Sequence, residues 1–282
     1  MEVIRTVHEM KQCITAFHKE KKRIGFVPTM GALHKGHLAL IVRALQENDK
    51  VVCSIFVNPL QFNNSGDLSK YPRNLDRDLA MLKTIGCDTV FTPEVDDIYP
   101  EPETKVYEFG LLDKVMEGRF RPGHFNGVAI VVKKLFDIIT PHQAYFGEKD
   151  FQQLAIIKAL VKLENLKIDI VSCPTFREKD GLAMSSRNMR LSQEQRAKAP
   201  MIYRILSHVR ERYPVESPEE VKKWVYQEFE KEKPAINLEY FEIVDSESLQ
   251  PLDKPKPTGG VTACIAVCFG EIRLIDNMVL NA

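Results

Sequence analysis

The sequence predicts an α/β protein, a doubly wound parallel sheet over residues 1–175 followed by a smaller α+β domain over residues 176–282. Three observations carry this prediction. Short apolar runs alternate with helix-period stretches through the first 175 residues, the βαβα order of a parallel sheet. One of those runs, Val51-Val52-Cys53-Ser54-Ile55-Phe56-Val57, is apolar at successive positions, as a strand covered on both faces must be. After Asp180-Gly181 the order changes to helices and then strands.

The elements follow in turn. Val7 to Lys21 has helical periodicity, and Ile24 to Val27 is a short strand that Pro28 is expected to end. A turn through Gly31 and Gly36 leads to a helix from His37 to Asn48. The apolar run 51–57 stops at Asn58-Pro59. Leu75 to Ile85 is helical, Thr89 to Phe91 is a strand stopped by Pro93, and Val128 to Ile139 is apolar and helical in part. Ala144 to Gly147 reads as a strand end, Phe151 to Leu163 as an amphipathic helix, and Ile168 to Val171 as the last strand before Pro174. Beyond it, Ser192 to Tyr213 and Ser217 to Lys231 are helical. Ser217-Pro218-Glu219-Glu220 supplies an N-cap, a first-turn proline and two acids. Strands are predicted at Leu238 to Val244, Val261 to Phe269 and Ile272 to Ile275.

Composition narrows the function. The 282 residues carry 39 basic and 39 acidic side chains, and neither half departs from balance by more than one charge. A protein that coats nucleic acid or a membrane surface needs a positive excess, so neither partner is expected. No run approaches the roughly 18 apolar residues of a membrane span, and the first residues lack the apolar core of a secretory signal. The six cysteines include no C-x-x-C pair, which reads as buried reduced thiols in a cytoplasmic protein. Any anion-handling site must therefore be a local gathering of positive groups.

The strongest local signal is Pro28-Thr29-Met30-Gly31-Ala32-Leu33-His34-Lys35-Gly36-His37, where a strand ends and a helix starts. Ligands collect at such places in open α/β sheets, and a helix N-terminus suits phosphate. His34 and His37 add two imidazole donors. The G-x-x-x-x-G spacing matches a P-loop, but His37-Leu38 stands at the Lys-Ser/Thr positions, so the Walker reading fails. A metal reading of the two histidines lacks a third ligand. A second segment, Asp180-Gly181-Leu182-Ala183-Met184-Ser185-Ser186-Arg187-Asn188, combines small and hydroxyl residues with one arginine, a set suited to phosphate oxygens. Taken together, the two segments resemble the paired signature of the HIGH/KMSKS nucleotidyltransferases.

Two further segments follow strand ends. Phe56-Val57-Asn58-Pro59-Leu60-Gln61-Phe62 offers neutral amides at Asn58 and Gln61, which can read hydroxyls and carboxylates. Gly147-Glu148-Lys149-Asp150-Phe151-Gln152-Gln153 offers a cation, carboxylates and a second pair of amides. With PTMGALHKGH, FVNPLQF, YPR, GEKDFQQ and DGLAMSSRN in this order, the chain closely resembles the pantothenate synthetase (pantoate–β-alanine ligase) family from about residue 3 onward.

The resemblance implies a Rossmann-type first domain, a C-terminal lid domain and a homodimer. It also implies ligation of (R)-pantoate to β-alanine, with ATP converted to AMP and pyrophosphate through an enzyme-bound pantoyl adenylate. By matching positions, it implies that Met30, Gly31, Ala32, Leu33, His34, Lys35, Gly36 and His37 line the ATP site, with His34 and His37 at the phosphates and His37 as proton donor. It places Gly147, Glu148, Lys149 and Asp150 against ATP, with Lys149 on phosphate and Asp150 on ribose. Phe176, Met184, Ser185, Ser186 and Arg187 close over adenine and phosphates. Phe176 stands where the family pattern leads one to expect Val, a change that a backbone contact to the base survives. Gln61 and Gln153 hold pantoate, and Gln61 also meets β-alanine. His124, Tyr71 and Arg73 fall on the substrate side. Magnesium (Mg2+) accompanies ATP, but its ligands stay unassigned: Arg77, between Asp76 and Asp78, stands where some relatives carry another acid. The adenylate is hydrolysable, and the polar stretch Asn63 to Ser69 reads as a mobile flap that excludes water.

Overall fold

The computed structural model describes residues 1–63, 65–213, 215–256 and 258–281. The chain divides into two compact units. The first comprises residues 1–109, 121–148 and 153–174; the second comprises 110–120, 149–152 and everything from Thr175 onward.

The first unit is built on a six-stranded parallel sheet. Its elements in chain order are β1 (Glu2–Ile4), α1 (Val7–Lys19), β2 (Ile24–Thr29), α2 (Lys35–Glu47), β3 (Lys50–Ile55), α3 (Ser65–Ser69), α4 (Leu75–Thr84), β4 (Thr89–Phe91) and α5 (Val95–Ile98). The helix α6 (Met116–Phe120) belongs to the second unit. Then come α7 (His124–Ile139), β5 (Gln143–Gly147), α8 (Phe151–Leu163) and β6 (Asp169–Cys173). The strand order is β1-β4-β3-β2-β5-β6, which reverses direction between β2 and β5. Alternate residues of β2 serve opposite faces. Val27 packs with Ile41, Ala44 and Leu82 of α2 and α4, whereas Phe26 meets Phe136 of α7 edge-on at 6.2 Å. Both faces of the sheet are therefore covered, as the continuous apolar runs require.

Contrary to expectation, Pro28 does not end β2, which runs on to Thr29. The Thr29 carbonyl accepts from Phe56 on the β3 side, so by alternation Pro28 turns its missing N–H toward β5. The β2–β5 ladder has already stopped at Phe26 and Ala144, so the proline breaks no ladder bond there. Helix α2 begins two residues before the predicted start, and α7 is helical throughout rather than in part. Of the expected flap, Asn64 lies outside the described residues, and Ser65–Ser69 forms the short helix α3.

In the second unit α9 (Gln193–Lys198), α10 (Met201–Arg212) and α11 (Pro218–Glu230) precede an antiparallel sheet of β7 (Ile236–Asp245), β8 (Val261–Phe269) and β9 (Ile272–Asn281). The single helix expected over 192–213 is two helices. Pro200 cannot continue a helix, and α10 restarts at Met201. Ser217 caps α11 as predicted, in a reciprocal box with Glu220. Ile202, Leu206 and Val209 of α10 and Val221, Val225 and Phe229 of α11 bury against Phe241, Ile265 and Val267 of the sheet. All six cysteines are unpaired. No described helix is long and apolar enough to cross a membrane.

Candidate active site

The strand order reverses between β2 and β5, and in open α/β sheets ligands bind beyond the carboxyl ends of such a strand pair; here Met30 follows β2 and Glu148 follows β5. Space at this edge is open at Gly147, where nothing lies within 4 Å of an added Cβ. The chain after β2 turns through two consecutive left-handed residues, Gly31 at φ +77° and Ala32 at φ +49°. The second is unfavourable for a residue with a side chain and needs outside support. Asp78 on α4 supplies it: its Oδ2 accepts the Ala32 N–H and its Oδ1 the Leu33 N–H, each at 2.8 Å. Asp78 is buried, and that burial pushes its carboxyl above the usual aspartate range against the pull of the two N–H groups. No motif in the sequence marks Asp78 as a site residue. Its signal was an acid on the inward face of α4, whose partner only the fold reveals.

Held in this way, the turn delivers His34 as the cap of α2. The His34 Nδ1 accepts the Gly36 N–H at 3.2 Å, and the His37 Nδ1 accepts the His34 N–H at 3.4 Å. A ring nitrogen that accepts a backbone N–H carries no hydrogen, so each neutral ring bears its proton on Nε2. The two rings stack with centroids 4.0 Å apart. Both histidines are thus fixed in one tautomer by the backbone, and each has an Nε2–H as donor. Lys35, between them, is exposed.

A second group forms past β3. Asn58 caps the short turn Pro59–Gln61 and is buried. Its Nδ2 donates to the Gly127 carbonyl at 3.0 Å and to Gln61 Oε1 at 3.2 Å, while its Oδ1 accepts from Tyr99 at 2.8 Å. Asn58 therefore orients Gln61 and is not itself available to read a substrate. The Gln61 Nε2 reaches Met30 Sδ at 2.9 Å, and its carbonyl pairs with His124 Nδ1 at 2.8 Å. Arg121 lies 3.1 Å from the other ring nitrogen of His124. Since Nδ1 must donate to a carbonyl, Nε2 accepts from the guanidinium and the ring is neutral. Helix α7 approaches this turn closely: a Cβ at Gly127 would stand 2.2 Å from the Leu60 carbonyl oxygen. Tyr71 is buried edge-on to Phe62, and Arg73 is exposed.

The remaining predicted residues lie past β5. Gln153 is half-buried on the first turn of α8. Its neighbour Gln152 is buried and spends its amide on the Glu117 N–H and on the carbonyls of Leu112 and Val115, so the expected second pair of amides is one amide. Lys149 is mostly buried, with Nζ 2.8 Å from Asp150 Oδ1. Phe176 is exposed, and its carbonyl accepts from Met184 at 2.9 Å. Ser185 caps the turn Ser186–Arg190 by accepting the Arg187 N–H.

Magnesium fits poorly as a resident ion. Among the described residues no three His, Cys, Asp or Glu side chains gather as a metal cage, and both Asp78 oxygens already accept N–H groups. Magnesium usually binds through one or two carboxylates together with substrate phosphates.

Comparison with known proteins identifies the family. The profile of the pantoate–β-alanine ligase family matches residues 2–279. The chain is 52% identical to a pantothenate synthetase of Porphyromonas gingivalis over 278 residues, covering 99% of both chains. It is 48% identical to that of Bacteroides fragilis, covering 99% and 98%. The crystal structure of the Thermus thermophilus pantothenate synthetase superposes with a TM-score of 0.92 at 44% identity over the whole of both chains. A Francisella tularensis pantoate–β-alanine ligase, solved in complex with β-γ ATP and β-alanine, superposes with a TM-score of 0.83 at 35% identity, covering 99% and 98%. A six-stranded parallel sheet, a histidine-capped helix at its switch point and full-length identity near one half converge: the chain belongs to the pantoate–β-alanine ligase family.

Proposed function

We propose that the histidine turn after β2, with the segments Gly147–Asp150 and Met184–Arg187, handles ATP in the reaction that family membership assigns to this chain. That reaction is the ATP-dependent ligation of (R)-pantoate and β-alanine to pantothenate. A carboxylate resists attack by an amine because it has no leaving group, so the pantoate oxygen first attacks the α-phosphorus of ATP. The new O–P bond forms as the bond to the bridging oxygen breaks, and pyrophosphate leaves with the electron pair. The amine of β-alanine then attacks the pantoyl carbonyl carbon. It gives up a proton as the C–N bond forms, and AMP leaves.

Both partners of the first step are anions, so the chain's task is to hold them in line and stabilise charge. No nucleophilic side chain is required. The observation that carries the reading is the pair of backbone-fixed histidines, whose Nδ1 atoms each accept a backbone N–H and so leave the ring proton to Nε2. Two pre-oriented donors at a helix N-terminus suit phosphate oxygens where charge grows. We assign His34 and His37 to the phosphates, with His37 as proton donor, and the backbone from Met30 to Gly36 to the nucleotide. Lys149 and Arg187 add fixed positive charge, Asp150 meets ribose, and Gly147, Glu148, Phe176, Met184, Ser185 and Ser186 complete the nucleotide contacts. Gln61 and Gln153 orient pantoate, and Gln61 also orients β-alanine. Magnesium enters with ATP as part of the substrate. The Francisella complex with β-γ ATP and β-alanine supports both ligand assignments.

A cytoplasmic setting and a homodimer complete the proposal. Six unpaired cysteines support the first, and family resemblance supports the second. The reading is tested by AMP release from ATP with pantoate and β-alanine supplied together, singly or not at all. Release that requires both is the expected result; release indifferent to them would sink it. Sedimentation of the purified chain tests the dimer.

A further inference from the structure

Within the second unit, a buried polar chain links two of the segments just assigned to ATP. Residues 176–184 form a small hairpin: Met184 donates to the Phe176 carbonyl at 2.9 Å, Glu178 to the Leu182 carbonyl at 2.8 Å, and Arg177 lies opposite Ala183. Its turn depends on Gly181, at φ +90°, where a Cβ would fall 2.0 Å from the Tyr203 ring. The Arg177 side chain folds back beneath the hairpin. Its Nη1 donates to the Gly181 carbonyl at 3.1 Å, and its guanidinium stands 4.7 Å from the centre of the Tyr203 ring.

The same guanidinium makes a bidentate pair with Asp276 on β9, at 2.6 and 2.9 Å, and Nη2 also donates to the Asn277 carbonyl at 3.2 Å. Asp276 is 4% exposed and accepts the Asn277 N–H as well, at 2.8 Å. Asn277 is 7% exposed, and its Nδ2 donates to the backbone carbonyl of Lys149 at 2.9 Å. The chain is thus continuous from the Gly181 carbonyl through Arg177, Asp276 and Asn277 to the Lys149 carbonyl. Buried polar groups satisfied in this way have one low-energy arrangement, because losing any partner strands another in a dry environment.

We propose that Arg177, Asp276 and Asn277 are positioning residues for ATP: Asp276 and Asn277, at adjacent positions of β9, hold the Lys149 peptide and, through Arg177, the hairpin leading into Met184–Arg187. None needs to touch the nucleotide. The inference rests on the reading that Lys149 and Met184–Arg187 bind ATP. Its physical content is that a long cation works only as well as its main chain is held, and a displacement of about 1 Å can cost on the order of a hundredfold in rate.

The test compares Asn277→Ala, Arg177→Lys and Lys149→Ala with the wild-type enzyme, measuring kcat/KM for ATP, KM for pantoate and thermal midpoint. Asn277→Ala removes the donor to Lys149. Arg177→Lys keeps the charge opposite Asp276 and so protects the fold, but gives up the fork that reaches Gly181. Both are expected to lower kcat/KM for ATP by about tenfold to a hundredfold, with KM for pantoate within about twofold of wild type. If Lys149→Ala is impaired toward ATP while the other two variants are not, the positioning role is overturned and the function of Lys149 stands. A loss spread equally over ATP and pantoate, tracking a lower thermal midpoint, marks the network as merely structural and also overturns it. A Lys149→Ala enzyme with normal use of ATP removes the underlying reading instead.

Discussion

Asp78 accepts the N–H of Ala32, the residue that carries φ +49° at the mouth of the histidine turn, at 2.8 Å. Its other oxygen takes the next N–H, that of Leu33. One buried carboxylate on α4 therefore holds the strained backbone that aims His34 and His37.

Asp78→Ala should cost about 1–3 kcal/mol of stability, since it leaves two buried N–H groups without an acceptor. Turnover should fall by about tenfold to a hundredfold because the turn is no longer held. Chemical denaturation and steady-state kinetics on one preparation check both effects. Wild-type turnover in a folded Asp78→Ala protein would remove Asp78 from the support of the site.

The same residue sets a pH dependence. Burial raises its carboxyl above the unfolded value, so the folded chain binds this proton more tightly than the unfolded chain does. The contribution is fully present below the unfolded pKa and is lost as pH rises through the raised folded one. Stability of wild type relative to the non-titrating Asp78→Asn should therefore decline with rising pH across that interval. Urea denaturation of both proteins over the mildly acidic range measures the slope, and a rise would contradict the burial argument.

His37→Ala should reduce adenylate formation by roughly a hundredfold to a thousandfold, the loss typical of one pre-oriented donor to developing charge. Helix α2 should persist, because the His34 ring still caps Gly36. Pyrophosphate release in single turnovers, together with a circular dichroism melt, separates the chemical effect from unfolding.

Gln61→Ala should weaken use of pantoate and β-alanine while ATP binding stays near wild type. Gly127→Ala should show the same pattern without touching the glutamine, because its Cβ would force the Leu60–Gln61 peptide aside. Its stability cost should be about 1–3 kcal/mol, the usual range for overpacking. Separate KM values for the three substrates decide the matter, and an ATP-specific defect in either variant would refute this role.

Native Cys53, Cys87 and Cys264 should resist thiol reagents at mildly alkaline pH and react only on unfolding. All three are buried, and burial pushes Cys87 up to about 12, so the reactive thiolate is scarce. Counting modified sulfurs by mass spectrometry before and after denaturant tests this, and rapid native labelling of all six would contradict it.

Local rules made most elements legible. The apolar run at 51–57, the helix at 151–163 and the Ser-Pro-Glu-Glu start at 217 each carry their signal within a few residues. Misreadings arose where a local rule met a long-range exception. Pro28 sits in a central strand because its neighbour's ladder has ended, which cannot be known before the strands pair. Asn58 and Gln152 have the chemistry of substrate-reading amides. Their partners, Gly127 and Glu117, lie 69 and 35 residues away, and those bonds consume them.

By itself, the sequence determined the parallel sheet, the place where a histidine turn meets a helix, and the motifs by which the family is recognised. The motifs depend on residue type and short spacing, and the sheet is read from the alternation of apolar runs with helix-period stretches. Only the tertiary structure decided which polar side chains are spent on holding turns and strands in place. Asp78 meets Ala32 across 46 residues, and Arg177 meets Asp276 across 99. Such pairs form because a buried charge must find a partner wherever packing brings one, and no local periodicity records where that is.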